Sequence, residues 1–197
     1  MDAFNLLKAD HRKVEELFSQ LESASGQAKM RVFEQIKTEL ELHTHIEETI
    51  FYPALEEPKQ THELTLEAYE EHDVVKNLLK ELSRAKLPTE EWEAQAKVLQ
   101  ENVEHHVEEE ENELFKKARV ALSKDDIETL GEQMENEKAR QQRGAGKASK
   151  KSAKKSASKS QAASRAPKRT PARKKSASKS SSKSSGTKRS NKSAKKR

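Results

Sequence analysis

Four stretches of the chain repeat apolar residues at alternating steps of three and four, the spacing that lines one face of an α-helix. The first runs Phe4, Leu7, Val14, Phe18, Leu21, and its one missing position is filled by His11. The second runs Phe33, Ile36, Leu40, His43, Glu47, Ile50, Ala54, and the third Ala68, His72, Val75, Leu79, Leu82. The fourth runs Trp92, Ala96, Leu99, Val103, His106, Glu110, Leu114. Each seam is apolar except where it carries a histidine or a glutamate. Ser25 with Gly26, Pro58 with Thr61 and Pro88 with Thr89 mark the three turns and offer helix caps. Ser123, with Asp126 three residues later, predicts a capping box that opens a short fifth helix reaching Gln141. The expected fold is all-α: an up-down four-helix bundle with a short fifth helix and a disordered C-terminal tail.

An ionised carboxylate in a bundle core costs several kcal/mol unless a partner offsets it. Two of them on seams, with four imidazoles, predict a pair of metal ions held by His11, His43, Glu47, His72, His106 and Glu110. In both pairs the spacing is H-x-x-x-E, one helical turn, which stacks imidazole and carboxylate on one face. His45 and His105 point about 200° and 100° away from the seam ligands. His62, beyond Pro58, falls in a first turn or loop. Glu108, Glu109 and Glu111 are expected on a solvated face, and Tyr69, one turn before His72, as a core or rim tyrosine rather than a phenolate ligand.

The pattern also repeats within the chain. Asp10-His11 with Val14 and Leu17-Phe18 resembles Glu71-His72 with Val75 and Leu78-Leu79. His43 to Phe51 resembles His106 to Leu114, each with a double glutamate four residues after the histidine. Two helix hairpins related by a pseudo-twofold axis follow, each giving two histidines and one carboxylate.

Residues 1–142 resemble the hemerythrin-like, or HHE cation-binding, domains. The likeness is carried by Ala9-Asp10-His11, by His43-Thr44-His45-Ile46-Glu47-Glu48 leading to Phe51-Tyr52-Pro53, by Glu71-His72, and by His105-His106-Val107-Glu108-Glu109-Glu110-Glu111 leading to Leu114-Phe115. It implies a four-helix bundle with a non-haem di-iron centre whose two carboxylates bridge the irons. Oxygen-carrying hemerythrins place a further histidine on the third helix where this chain has Ala68, and space the fourth-helix histidine and aspartate by five where Glu110 follows His106 by four. The pattern is therefore closer to the varied bacterial and regulatory HHE domains than to a reversible oxygen carrier.

Imidazole and carboxylate without thiolate suit iron, manganese or zinc, and two histidines with a carboxylate and open positions suit non-haem iron in particular. The Glu-x-x-His step of ferritin-like di-iron bundles is absent from the sequence. Two six-coordinate ions offer about twelve positions, of which the six residues and a solvent bridge fill about ten. The remaining space suits dioxygen, peroxide or nitric oxide.

Composition then breaks sharply. From Arg143 onward the chain has twenty-one Lys and Arg and no acid, while residues 1–142 hold the other eighteen against all thirty-four Asp and Glu. The mild net charge of +5 thus hides a body of formal charge −16 and a tail of +21. All eight aromatic residues lie in the body, so residues 143–197 cannot form a core and are expected to be disordered when free. The tail repeats KKSASKS at Lys154–Ser160 and Lys174–Ser180 and resembles in composition the tails of linker histones and histone-like bacterial proteins. Lysine-rich segments displace counterions from phosphates, so Lys154, Lys155, Lys174, Lys175, Lys195, Lys196 and Arg197 are candidate contacts to DNA or RNA without sequence preference. No cysteine, membrane-spanning run or secretory leader is seen, and a cytoplasmic, nucleoid-associated protein is expected. Three functions compete: a di-iron module that senses or protects against oxygen, peroxide or nitric oxide; a di-iron enzyme removing peroxide or nitric oxide; and an iron-handling protein.

Overall fold

A computed structural model describes the backbone over residues 1–162 and the side chains over residues 1–144. Helices α1 (Ala3–Ser23) and α2 (Gly26–Ile46) form one hairpin, and α4 (His62–Leu82) and α5 (Glu90–Glu109) form the second. Between them lie a π-helical turn at Glu47–Phe51 and the short α3 (Pro53–Glu56). After α5 come a matching π turn at Glu110–Leu114, α6 (Phe115–Ala121) and α7 (Lys124–Ala162). The described residues contain no strand. The all-α bundle expected from the seams is the fold observed.

Local chemistry explains most boundaries. The Asp2 carboxylate accepts from the Asn5 amide at 2.9 Å and caps α1, and the Thr89 hydroxyl accepts from the Trp92 amide at 3.2 Å and caps α5. Ser25 and Thr61 precede helices without capping them; the Thr61 hydroxyl instead donates to the Leu55 carbonyl at 2.6 Å and ties down the chain after α3. Gly26 has φ +53°, a left-handed conformation that glycine adopts without a Cβ clash. The capping box forms as expected: the Asp126 amide donates to the Ser123 hydroxyl at 3.1 Å, and the Ser123 amide to Asp126 Oδ2 at 3.2 Å.

The helix opened by that box is longer than expected. It runs past Gln141 to Ala162, through a stretch rich in Lys, Ala and Ser, and the next proline in the chain is Pro167. Residues 163–197, which include the candidate contacts Lys174, Lys175, Lys195, Lys196 and Arg197, lie outside the described residues, as do the side chains of Lys154 and Lys155. The expected tail disorder beyond Ala162 therefore falls outside them too.

Two apolar clusters fill the bundle. One gathers Phe4, Leu7, Ile46, Phe51, Leu55, Leu114 and Phe115 with Ile127, Leu130 and Met134 of α7. The other gathers Val14, Phe18, Phe33, Ile36, Leu40, Val75, Leu79, Trp92, Leu99 and Val103. The seam histidines and glutamates fall between them along each helix. Below this layer Phe4 meets Phe115 and Phe51 with ring centroids 5.0 and 5.9 Å apart, a rigid aromatic floor.

The second seam departs from expectation after Glu47. Ile50 and Ala54 are only half-buried, while Phe51, Tyr52 and Leu55 are fully enclosed. The cause is the π turn, in which the Tyr52 amide donates to the Glu47 carbonyl at 2.8 Å, five residues back. One inserted residue rotates everything after it by about 100°.

Candidate metal centre

All six seam residues converge. His11, His43, Glu47 and Glu110 bring ligand atoms within 4.8 Å of one another, and Glu47, His72 and His106 do the same beside them. His11 Nε2 faces His43 Nε2 at 3.2 Å, and His72 Nε2 faces His106 Nε2 at 3.3 Å. Two nitrogens bound to one ion at about 2.1 Å and at right angles would be separated by about 3.0 Å, so each pair is spaced as adjacent ligands are. Glu47 Oε2 lies 3.1 Å from His43 Nε2 and 3.3 Å from His72 Nε2, between the two pairs. Glu110 Oε2 lies 3.3 Å from His11 Nε2.

Whether these residues fit a cation can be judged from their hydrogen bonding. Both oxygens of Glu47 and both of Glu110 are buried without a hydrogen-bond partner, and so is His43 Nδ1. Buried polar atoms are rarely left so, because each costs about 1–3 kcal/mol unpaired and charged ones more. Electrostatics show the same conflict. Burial and the nearby Glu110 charge push Glu47 well above the usual carboxylate range. Burial lowers His43 to about 4, with the charge of His11 adding to the effect. Burial also opposes the charge on His11, but Glu110 and Glu47 outweigh it and raise that imidazole to about 9. A pair of divalent ions would satisfy the four orphaned oxygens and cancel the repulsion between the two carboxylates. The donor set therefore fits a two-metal centre.

A second ring of carboxylates orients the imidazoles. His11 Nδ1 donates to Glu111 at 2.8 Å, His72 Nδ1 to Glu48 at 2.9 Å, and His106 Nδ1 to Glu71 at 2.7 Å. His43 Nδ1 stands 3.6 Å from Asp10. Each of the three bonds fixes the tautomer that leaves Nε2 free for a metal and raises its basicity. Lysines anchor three of the four: Lys8 on Glu111 at 2.8 Å, Lys76 on Glu48, and Lys138 on Asp10 at 2.6 Å. Although burial opposes it, these partners hold Asp10, Glu48 and Glu111 below their ordinary range, and His106 does the same for Glu71.

Glu111 is therefore a correction, since it orients His11 rather than lying on a solvated face. The signal was present in the sequence: each outer carboxylate is the chain neighbour of a ligand, before it in Asp10-His11 and Glu71-His72 and after it in Glu47-Glu48 and Glu110-Glu111. His45 lies outside the centre, 3.0 Å from Glu137 of α7, and His62 opens α4 with its ring nitrogen donating to the Glu56 carbonyl. Tyr69 donates to Glu56 at 2.9 Å, on the rim. The tyrosine at the centre is Tyr52, fully buried, its hydroxyl 3.3 Å from His72 Nε2.

Beside the four imidazoles is a small cavity walled by Val14, Leu40, Val75, Val103 and Val107, with room for about one water-sized ligand. Among the described residues no helix is long and apolar enough to cross a membrane.

Known proteins agree with this architecture. A crystal structure of a hemerythrin HHE cation-binding domain-containing protein from Mycobacterium kansasii superposes with a TM-score of 0.65 and 26% identity, covering 74% of this chain and 89% of that one. A DNA nickase from a Nostoc strain is 29% identical over 151 residues, which is 76% of this chain; the chain spans less than half, 43%, of that relative's length. The sequence profile of the hemerythrin HHE cation-binding domain matches residues 2–118, so the chain belongs to that family.

Proposed function

We propose that the chain holds a non-haem di-iron centre that meets dioxygen, peroxide or nitric oxide, and that its basic tail keeps it on nucleic acid. The observation behind the first part is the pair of buried carboxylates with four unpartnered oxygens among four imidazoles. Glu47 and Glu110 would hold the ions together with His11, His43, His72 and His106. When bound, iron supplies electrons and Lewis acidity to a small ligand. The chain's own part is to fix the imidazoles through the outer carboxylates, to exclude water with the valine walls, and to place the Tyr52 hydroxyl beside His72 Nε2. The cavity's size favours a diatomic or peroxide over an organic substrate.

A sensing role is favoured over bulk turnover by the position of α7. Lys138 of this helix grips Asp10, the carboxylate facing His43 Nδ1, and Glu137 and Gln141 contact His45. The helix that leads into the tail is thus two contacts from a metal ligand. Metal or redox state would alter the hold on α7 and hence presentation of the tail.

Metal analysis of protein purified without added metal, with absorption spectra before and after peroxide, tests the centre. About two irons per chain are expected. No iron after anaerobic reconstitution would overturn the reading. Gel retardation of the full chain and of residues 1–142 across a salt series tests the tail; that truncation keeps every contact of α7 named above. Equal binding by both would rule the tail out. Turnover separates the roles: many peroxide or nitric oxide molecules consumed per centre would make the chain an enzyme, as an alternative to sensing.

The nickase name of the Nostoc relative favours DNA as the polyanion and raises a second reading, in which the chain itself cuts DNA. The buried ligands weigh against it, since a phosphodiester would have to reach residues that are at most 6% exposed. Conversion of supercoiled plasmid to the relaxed form by the iron-loaded chain, lost in His72→Ala, would establish it.

A further inference from the structure

We propose that Glu71, His105 and Glu109, on the face formed by α4 and α5, make a capture site that binds a divalent transition-metal ion from solvent and passes it to the buried centre. The proposal rests on the reading of that centre as a metal site. His105 Nε2 lies 3.8 Å from Glu71 Oε1 and 3.5 Å from Glu109 Oε1, and one ligand atom from each residue falls within 4.8 Å of the others. The His105 side chain is 62% exposed, while Glu71 and Glu109 are 21% and 37% exposed, a gradient from solvent inward. One imidazole with two carboxylates is a donor set for iron, manganese or zinc, and its open geometry suits weak, reversible binding.

The site joins the centre through a shared residue and a cleft. Glu71 Oε1 faces His105, while Glu71 Oε2 accepts from His106 Nδ1 at 2.7 Å. The cleft has Glu67, Glu71 and Glu109 among its lining residues and reaches His106 and Glu110 past the small side chain of Ala68. Glu110 is 2% exposed and both its oxygens lack partners, so a buried, unsatisfied carboxylate faces the path. Leu64, Ala68 and Leu114 also wall the cleft, so an ion moving inward would pass these side chains on its way from the carboxylates of Glu71 and Glu109 to that of Glu110.

The internal repeat supplies a control within the same molecule. The residues matching Glu67, Ala68, His105 and Glu109 in the first half are Leu6, Leu7, Leu42 and Ile46. Leu6, Leu7 and Ile46 are buried in the cluster that also takes Ile127, Leu130 and Met134 of α7. At these positions the first half is apolar, whereas the second carries ligand atoms at three of the four, Glu67, His105 and Glu109. A solvated acidic face would not need the histidine or the cleft.

The test follows iron uptake by the metal-free full chain. Ferrous ion is added anaerobically at limiting concentration, samples are desalted over chelating resin at intervals, and bound iron is counted. His105→Ala, at an exposed position, and Glu109→Gln, at a half-buried one, should load about tenfold or more slowly than the parent, because the capture site raises the local cation concentration. Final iron content, circular dichroism and the spectrum of the loaded protein should be unchanged. Parent-like loading rates in both variants would overturn the proposal. A lower final iron content would also overturn it, since it would make His105 a support of the centre itself. Failure of the parent chain to take up iron would instead sink the underlying metal-centre reading and the capture site with it, a result distinguishable without the variants.

Discussion

His11 and His43 face each other across 3.2 Å in the first half of the repeat, and His72 and His106 across 3.3 Å in the second; both halves then break into a π turn at the glutamate. Behind these matching ligands the halves diverge. Asp10 in the first half is gripped by Lys138 of α7, whereas its counterpart Glu71 faces the exposed His105. Tyr52 in the first half places a hydroxyl beside His72, whereas its counterpart Phe115 lies parallel to His11 at 6.3 Å, with planes 9° apart, and has none to offer. The repeat therefore explains why two ions would be held alike. The residues just outside it explain how the two could behave differently, one tied to α7 and the other open to a phenol and to solvent.

The largest expected effect tests the sharing of the bridges. Glu47→Ala should lose both ions, because Glu47 stands between the two histidine pairs, and the internal repeat predicts the same of its counterpart Glu110, whereas His11→Ala and His72→Ala should each weaken one. Metal analysis checks this, and loss of a single ion in Glu110→Ala would show that the glutamate serves one half alone. Stability should follow metal content. A ligand present at a thousandfold its dissociation constant adds about 4 kcal/mol, so chelation should lower the denaturation midpoint markedly. A midpoint indifferent to chelator would mean that the seam residues are satisfied without metal.

Next in size are the outer carboxylates. Glu48→Gln and Glu111→Gln take the negative charge from the equivalent acceptors of His72 and His11, and each should cost about 10- to 100-fold in metal affinity. Competition with a chromogenic chelator measures it. Similar losses support equivalent halves, and a difference beyond about tenfold would break the symmetry. Asp10→Asn should cost less at the metal, because Asp10 stands 3.6 Å from His43, and should instead loosen α7, read as faster amide exchange around Lys138.

Much of this was legible because the seams and the ligands obey one period. Phe4 to Leu21 and Trp92 to Val103 bury every residue their spacing assigned, and the six candidate ligands meet because each interrupts an apolar series. What escaped lay where the period changes. The π turn after Glu47 put Phe51 and Leu55 inward in place of Ile50 and Ala54, and nothing in Glu47–Phe51 announces a five-residue hydrogen bond. Tyr52 was missed for the same reason: nine residues after His43, a regular helix would turn it to the opposite face. Glu111 was hidden differently, as one acid in a run of four whose partners come from a helix a hundred residues away.

The smallest expected effect is the most diagnostic of how the halves differ. Tyr52→Phe makes the first half match Phe115 in the second and removes one hydroxyl. The ring should stay, held against Tyr69 at 5.1 Å and Phe51 at 6.0 Å between centroids. The lost hydrogen bond to His72 is long at 3.3 Å, so stability should fall by about 1 kcal/mol or less. Burial and the surrounding glutamates push this phenol well above its ordinary range, so it stays protonated in the metal-free protein and can donate on the His72 side of the centre. Binding of nitric oxide to the loaded protein should weaken in Tyr52→Phe while metal content stays the same. Unchanged ligand affinity and an unchanged spectrum would reduce Tyr52 to packing and leave α7 and the cleft as the only differences between the halves.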